Sequence, residues 1–298
     1  MPTADQKSGA CKATFLLLVL TAERKNMNSF MSWVGGKKNL RDEVLARFPP
    51  YYERYIEVFG GAGWVLFHKP PGADFEVYND FNSNLANLYR CVRDKPAKLK
   101  YKLRYVLDSR EDFEYLALLH KRGILPRLYD VDRAAKFYQL IRYSYASGLD
   151  SFGSQPHSMW SDFPMIDLAA RRLQKVVIEN KDFEKLIKQY DRPVSFFYCD
   201  PPYFATENYY KDVGFTAKDH IRLRDTLLEI KGKFLVSYND CPEIREIWDK
   251  PNIHIEEISR LNNLAQRYDA GCQYGELLIS NYDTSERAKA IKQLSLFD

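Results

Sequence analysis

The chain has 298 residues, 45% of them apolar and 28% charged, with a net charge of +4. That is the balance of an ordinary globular protein, and it excludes a collagen-like, low-complexity or strongly polybasic chain. The length allows one large domain or two of ordinary size.

Residues 1–26 look unlike the rest. Their apolar run "FLLLVL" is too short to span a bilayer, and "TAERKN" after it supplies no convincing cleavage site. We expect translation to begin at Met27 or Met31, with the upstream residues an extension. After Gly35 and Gly36, Leu40, Val44, Leu45 and Phe48 recur at helical spacing. "RYIEVFGGAGW" reads as a buried strand running into a glycine turn, and "FEVYND" as a second strand ending in an acid. Leu85, Leu88, Tyr89 and Val92 give the next amphipathic helix. Residues 94–175 read as mostly helical and polar, broken by the Gly/Ser loop in "YASGLDSFGSQ". Five more strands follow in "KVVIENKDF", "VSFFYCDPPY", "KFLVSYND", "IHIEEIS" and "GELLISNY". Strand-helix alternation predicts an α/β fold, a mostly parallel sheet with helices on both faces and a helical segment inserted into it.

Charge is concentrated in that insertion. Residues 93–147 hold 13 Lys or Arg against 7 Asp or Glu, a surplus of +6 that exceeds the whole chain's excess. Such a local basic surface suits a phosphate backbone. Cys11, Cys91, Cys199, Cys241 and Cys272 have neither CxxC spacing nor a nearby His, so we expect reduced thiols, no metal site and a cytoplasmic setting.

Two stretches carry chemistry. The first is the turn Phe59-Gly60-Gly61-Ala62-Gly63, where glycines let backbone approach a ligand. With Asp80 ending the next strand, able to accept from ribose hydroxyls, it suggests an adenosine-containing cofactor. Asp80 as a helix cap is the competing reading. The second is "VSFFYCDPPYF". Proline cannot continue a central strand, so the strand stops at Asp200 and the two prolines stiffen a loop at its carboxyl end, where open α/β sheets bind ligands. A dinucleotide oxidoreductase is disfavoured, because G-x-G-x-x-G is absent.

These residues resemble a family. "WVGGK" (33–37), "EVFGGAG" (57–63), "ND" (79–80), "NKDF" (180–183), "DPPY" (200–203) and "FLVSYND" (234–240), in that order, are similar to Dam-type (D12 class) DNA adenine-N6 methyltransferases, over roughly residues 31–282. The resemblance implies a Rossmann-like methyltransferase sheet with a C-terminal antiparallel strand. Its catalytic domain would be residues 27–93 and 176–282, with a target-recognition insertion at 94–175. It implies S-adenosylmethionine as methyl donor and double-stranded DNA as substrate, with the target adenine flipped out of the duplex. Catalysis would fall to Asp200, Pro201, Pro202 and Tyr203, with Asp200 and the Pro201 carbonyl accepting from the adenine amine and Tyr203 stacking on the base. Trp33, Lys37, Glu57, Phe59, Gly60, Gly61, Gly63, Asp80, Asp182, Phe183 and Asp200 would hold the cofactor, although Asp182 also reads as a helix cap. Ser237 and Asn239 end a strand at the same sheet edge and are expected at the base pocket. His220 we read as structural. In the insertion, Arg142, Tyr143 and Ser151 are candidate DNA contacts. An RNA adenine methyltransferase, or a non-catalytic DNA-binding protein with a relic pocket, would carry the same motifs.

The C-terminal segment 283–298 turns polar and reads as a flexible tail, with the enzyme otherwise a monomer associated with the nucleoid. It ends in Gln293-Leu294-Ser295-Leu296-Phe297. That pentapeptide resembles the motif by which bacterial replication and repair proteins bind the sliding clamp, implying a tether through Gln293, Leu294, Leu296 and Phe297 that raises local enzyme concentration.

Overall fold

Seven strands form a single sheet in the computed structural model, which describes residues 27–153, 155–205, 214–261 and 273–289. Cys11, Cys272, the run at 15–20 and the expected clamp motif at Gln293, Leu294, Leu296 and Phe297 lie outside the described residues. The strands are β1 (Arg54–Glu57), β2 (Phe75–Asn79), β3 (Val176–Glu179), β4 (Ser195–Cys199), β5 (Lys233–Asn239), β6 (His254–Leu261) and β7 (Gln273–Ser280). Their order is β3-β2-β1-β4-β5-β7-β6. Only β7 runs against its neighbours, pairing antiparallel with both β5 and β6. All seven segments read as strands in the sequence are strands here. The strand order reverses between β1 and β4, which pair in parallel with Glu57 opposite Tyr198. That is a topological switch point, and a crevice opens there beyond the strands' carboxyl ends.

Side-chain alternation sorts the two faces. Ile56, Val58, Phe197, Cys199, Phe234 and Val236 point to one side. There they pack under α8 (Phe183–Tyr190), α9 (Ala217–Leu228) and α10 (Pro242–Trp248). Tyr55, Phe196 and Tyr198 point to the other. That face is covered by α1 (Arg41–Ala46), α2 (Trp64–His68) and α3 (Ser83–Asp94). In α3 the expected stripe of Leu85, Leu88, Tyr89 and Val92 is fully buried, and Asn82 caps the helix by accepting from the amides of Asn84 and Leu85.

The α-helices of the insertion are α4 (Pro96–Leu103), α5 (Arg110–Lys121), α6 (Asp130–Tyr143) and α7 (Phe163–Leu173). Its Leu103, Phe113, Phe137, Tyr138 and Leu173 join the same apolar cluster as Tyr55 and Phe196. The insertion therefore shares a core with the sheet. The segment expected to be a free tail from 283 is tied to the sheet as far as Glu286. Thr284 donates to Glu256 (2.9 Å), and Lys233 reaches Glu286 (3.1 Å). Polar spacing in this stretch suggested solvent, but the partners come from β5 and β6. Among the described residues no helix is long and apolar enough to cross a membrane.

Candidate active site

The crevice at the switch point is a cavity of about 1080 Å³. Of the expected cofactor residues, Trp33, Lys37, Glu57, Phe59, Gly60, Gly61, Asp80, Asp182, Phe183 and Asp200 line it. Gly63 is not in the wall; with φ +63° it starts α2, and a side chain there would meet the Tyr89 hydroxyl at 2.9 Å. Gly60 leaves no room at all. A Cβ at that position would lie 2.2 Å from the ring of Tyr78, so the turn after β1 passes directly over β2.

Asp80 binds the glycine turn. One carboxylate oxygen accepts from the Gly61 amide at 2.8 Å and the other from the Asn82 amide at 2.7 Å. Burial pushes its pKa up to about 6, against those two amides. Asn82, and not Asp80, is the cap of α3. Each Asp80 oxygen keeps a lone pair for a ligand hydroxyl. Glu57, 2% exposed, accepts from the Tyr55 hydroxyl at 2.6 Å. Burial raises its pKa to about 8, so it is mostly protonated at neutral pH.

At the far end of the cavity Phe59, Phe183 and Phe215 form a triangle, with ring centroids 5.7–5.9 Å apart. The Arg222 guanidinium lies over Phe183 at 3.9 Å. Asp182 has two structural roles. It caps α8 through the Glu184 amide, and it lines the cavity while paired bidentately to Arg222 (2.9 Å twice). Burial acts to raise the Asp182 pKa, but the Arg222 hydrogen bonds and charge outweigh it and hold the pKa low. Phe215 and Arg222 were not foreseen. The Asp219–Arg222 spacing was legible as a helical ion pair, but Asp182 lies forty residues from Arg222 in sequence and nothing local links them.

Asp200 leaves β4 as the sequence implied, with 17% of its side chain exposed. Its Oδ1 accepts from Lys37 Nζ at 2.6 Å and from the Ser237 hydroxyl at 3.0 Å. Oδ2 accepts from no described residue. Burial pushes the Asp200 pKa up, and Lys37 only partly offsets that. Pro201 and Pro202 are buried, and Pro202 lines the cavity. Tyr203 does not line it. Its hydroxyl donates to Glu276, and its ring lies 4.5 Å below Lys37 Nζ. Asn239 supports the loop from behind, accepting from the Phe204 amide at 3.1 Å. His220 is fully buried against Phe204 and Phe215, with Nδ1 2.8 Å from the Tyr238 hydroxyl, which matches a structural role. Among the described residues no cluster of His, Cys, Asp and Glu is placed to hold a metal.

The insertion faces the cavity with α5, through Phe113, Glu114, Leu118 and Lys121, and with the loop Ser147–Asp150. Arg142 and Tyr143, read as candidate DNA contacts, both have partners within the insertion. Tyr143 is 3% exposed. Arg142 clamps Asp162, 9% exposed, through two hydrogen bonds of 2.9 Å, with His157 completing the cluster. A buried carboxylate needs a counter-ion, and Arg142 is that counter-ion. Ser151 is exposed on the loop. Arg142→Ala is accordingly expected to destabilise the fold by about 1.5–3 kcal/mol, read by urea unfolding. Unchanged stability with weakened DNA affinity would restore the DNA-contact reading.

The match to known proteins is extensive. The family model for D12 class N6 adenine-specific DNA methyltransferase covers residues 33–263. The Type II methyltransferase M1.LlaDCHI of Lactococcus lactis subsp. cremoris is 29% identical over 286 residues, 89% of this chain and 99% of that protein. The DNA adenine methylase of Escherichia coli (strain K12) is 26% identical over 255 residues, 79% of this chain and 89% of that protein. The DNA adenine methylase of Haemophilus influenzae is 27% identical over 243 residues, 74% and 82% of the two chains. With the motifs gathered around one crevice of the sheet, this chain belongs to the D12 class of N6 adenine-specific DNA methyltransferases.

Proposed function

We propose that the protein transfers a methyl group from S-adenosylmethionine to N6 of an adenine turned out of duplex DNA. The observation that carries this reading is one cavity bordered by the glycine turn, Asp80, the Phe59–Phe183–Phe215 triangle and Asp200. The residues fit such a donor. The aromatic triangle suits a purine, Asp80 suits ribose hydroxyls, and the protonated Glu57 lies at the end nearer Asp200. When bound, S-adenosylmethionine supplies a sulfonium-activated methyl group, so the protein's work is positioning and electrostatics.

Adenine N6 is a poor nucleophile because its lone pair is delocalised into the ring. Asp200 is anchored through Oδ1 by Lys37 and Ser237, which leaves Oδ2 to accept from the target amine. With the Pro201 carbonyl as second acceptor, this favours a pyramidal nitrogen whose lone pair is localised for attack. Flipping costs a few kcal/mol. Apolar and aromatic contacts in the cavity offset part of it, at about 1–3 kcal/mol per stacked base. The loop at 146–149 borders the cavity and holds Ala146, Ser147 and Leu149 at positive φ (49°, 58° and 64°). Strain of that kind, of order 1–3 kcal/mol per residue, concentrates at functional sites. We assign this loop, with Ser151, to contacts beside the flipped base.

The test is incubation of mixed genomic DNA with labelled S-adenosylmethionine, followed by mapping of modified bases. Label at N6 of adenine within one recurring sequence is expected. Label in RNA only, or cofactor binding without transfer to any nucleic acid, would overturn the reading.

A further inference from the structure

Glu276 on β7 did not stand out in the sequence, and the mechanism above does not use it. It is 1% exposed, beside the reacting end of the cavity. It accepts the Tyr203 hydroxyl, and its Oε2 lies 3.9 Å from Lys37 Nζ. Lys37, itself 5% exposed, is thus enclosed by two carboxylates, Asp200 at 2.6 Å and Glu276, with the Tyr203 ring on a third side. A buried carboxylate without a function in the site would be an expensive choice, since an apolar residue packs there at no desolvation cost.

We propose that Glu276 is a positioning residue for methyl transfer, sharing the Lys37 ammonium with Asp200 so that Asp200 is not quenched as an acceptor for the target amine, and fixing the Tyr203 ring beneath Lys37. The proposal rests on the methyl-transfer reading above. With Asp200 as its sole counter-ion, Lys37 would form a tight buried pair with it, and Asp200 would be a weaker acceptor. The second negative charge divides the ammonium's field. The Glu276 charge is also one of the influences that raise the proton affinity of Asp200. Among the described residues, the groups facing this pair include Tyr203 and Tyr198, both kept protonated chiefly by burial, Glu57 from β1 and the Ser237 hydroxyl from β5.

The experiment is single-turnover transfer to genomic DNA from labelled S-adenosylmethionine, followed across pH, for the wild-type chain, Glu276→Gln and Glu276→Asp. Glu276→Gln keeps the shape and loses the charge. Its plateau rate is expected to fall about tenfold to a hundredfold, with donor affinity by calorimetry within about threefold of wild type. Its acid limb is expected to move to lower pH, because Asp200 loses a neighbouring like charge. Glu276→Asp keeps the charge, and its limb should stay at the wild-type position even if the rate drops. An active wild type with Glu276→Gln unchanged in rate and limb overturns the Glu276 proposal alone. So does a limb displaced equally in both variants, the mark of a packing defect. If Glu276→Gln does not fold, a displaced limb in Glu276→Asp still overturns it. No transfer by the wild type would overturn the methyl-transfer reading, and this proposal with it.

Discussion

Asp200→Ala is expected to lose methyl transfer by more than about a hundredfold, roughly 2.7 kcal/mol of barrier, while donor binding changes by less than about tenfold. The two effects separate because of where Asp200 sits. The aromatic triangle, Asp80 and the glycine turn at the cofactor end are untouched by the substitution. What disappears is the group that the proposed mechanism makes the acceptor for the amine. The variant should also fold. Lys37 keeps Glu276 at 3.9 Å as a counter-ion. Removing Asp200 also removes a charge that burial disfavours. Its folded pKa is raised, so relative to the unfolded chain its contribution to stability is fully present below the ordinary carboxylate value and is lost as pH rises through the folded pKa. At neutral pH the alanine variant escapes that loss. The same shift sets the pH dependence of the wild type. The proposed mechanism requires the ionised carboxylate, so activity should fall on acidification through a value above the ordinary Asp pKa of about 3.9. Single-turnover rates with labelled S-adenosylmethionine across pH, and calorimetry with the unreactive demethylated product, measure both arms. Near-wild-type turnover by Asp200→Ala would sink the mechanism.

The sequence was most legible where the chemistry is local. A strand that must stop at Asp-Pro-Pro announces a loop at the sheet's carboxyl edge, and the loop is there. Glycines after β1 announce close backbone approach, and the space at Gly60 is filled by Tyr78. The strands were readable because most are short apolar runs bounded by turn residues. Legibility failed wherever a charged group found its partner across the fold. Arg142 in a basic, aromatic segment looks like a DNA contact, and its pairing with Asp162 appears only in three dimensions. Asp182 meets Arg222, Thr284 meets Glu256 and Lys37 meets Glu276 in the same way. Periodicity reports which face of an element is apolar. It carries no information about which polar side chains converge from different elements.

Loss of Phe30 should cost the fold several kcal/mol, on the order expected for a buried ring, and it bears on the two candidate starts at Met27 and Met31. Phe30 is 3% exposed. It meets Phe67 of α2 edge-on at 5.8 Å, Tyr89 of α3 at 5.2 Å and Tyr138 of α6 at 6.2 Å. One ring therefore joins the sheet's covering helices to the insertion. Its carbonyl accepts from the Tyr138 hydroxyl at 3.1 Å, and the preceding Ser29 donates to the Ala62 carbonyl at 2.5 Å, inside the glycine turn. Phe30→Ala should destabilise the protein by about 3–5 kcal/mol, the range for emptying a buried phenylalanine site. A chain begun at Met31 loses the ring and the Ser29 brace together, so it should be destabilised at least as much and should bind S-adenosylmethionine more weakly through a loosened turn. A chain begun at Met27 keeps both. Urea unfolding of the two truncations and of Phe30→Ala, with calorimetric donor binding, separates the cases. If the Met31 chain matched the Met27 chain in stability and donor affinity, the bracing assigned to Ser29 and Phe30 would be wrong. If the Met27 chain lost several kcal/mol against the full chain, residues 1–26 would be part of the domain and the expected extension would be refuted.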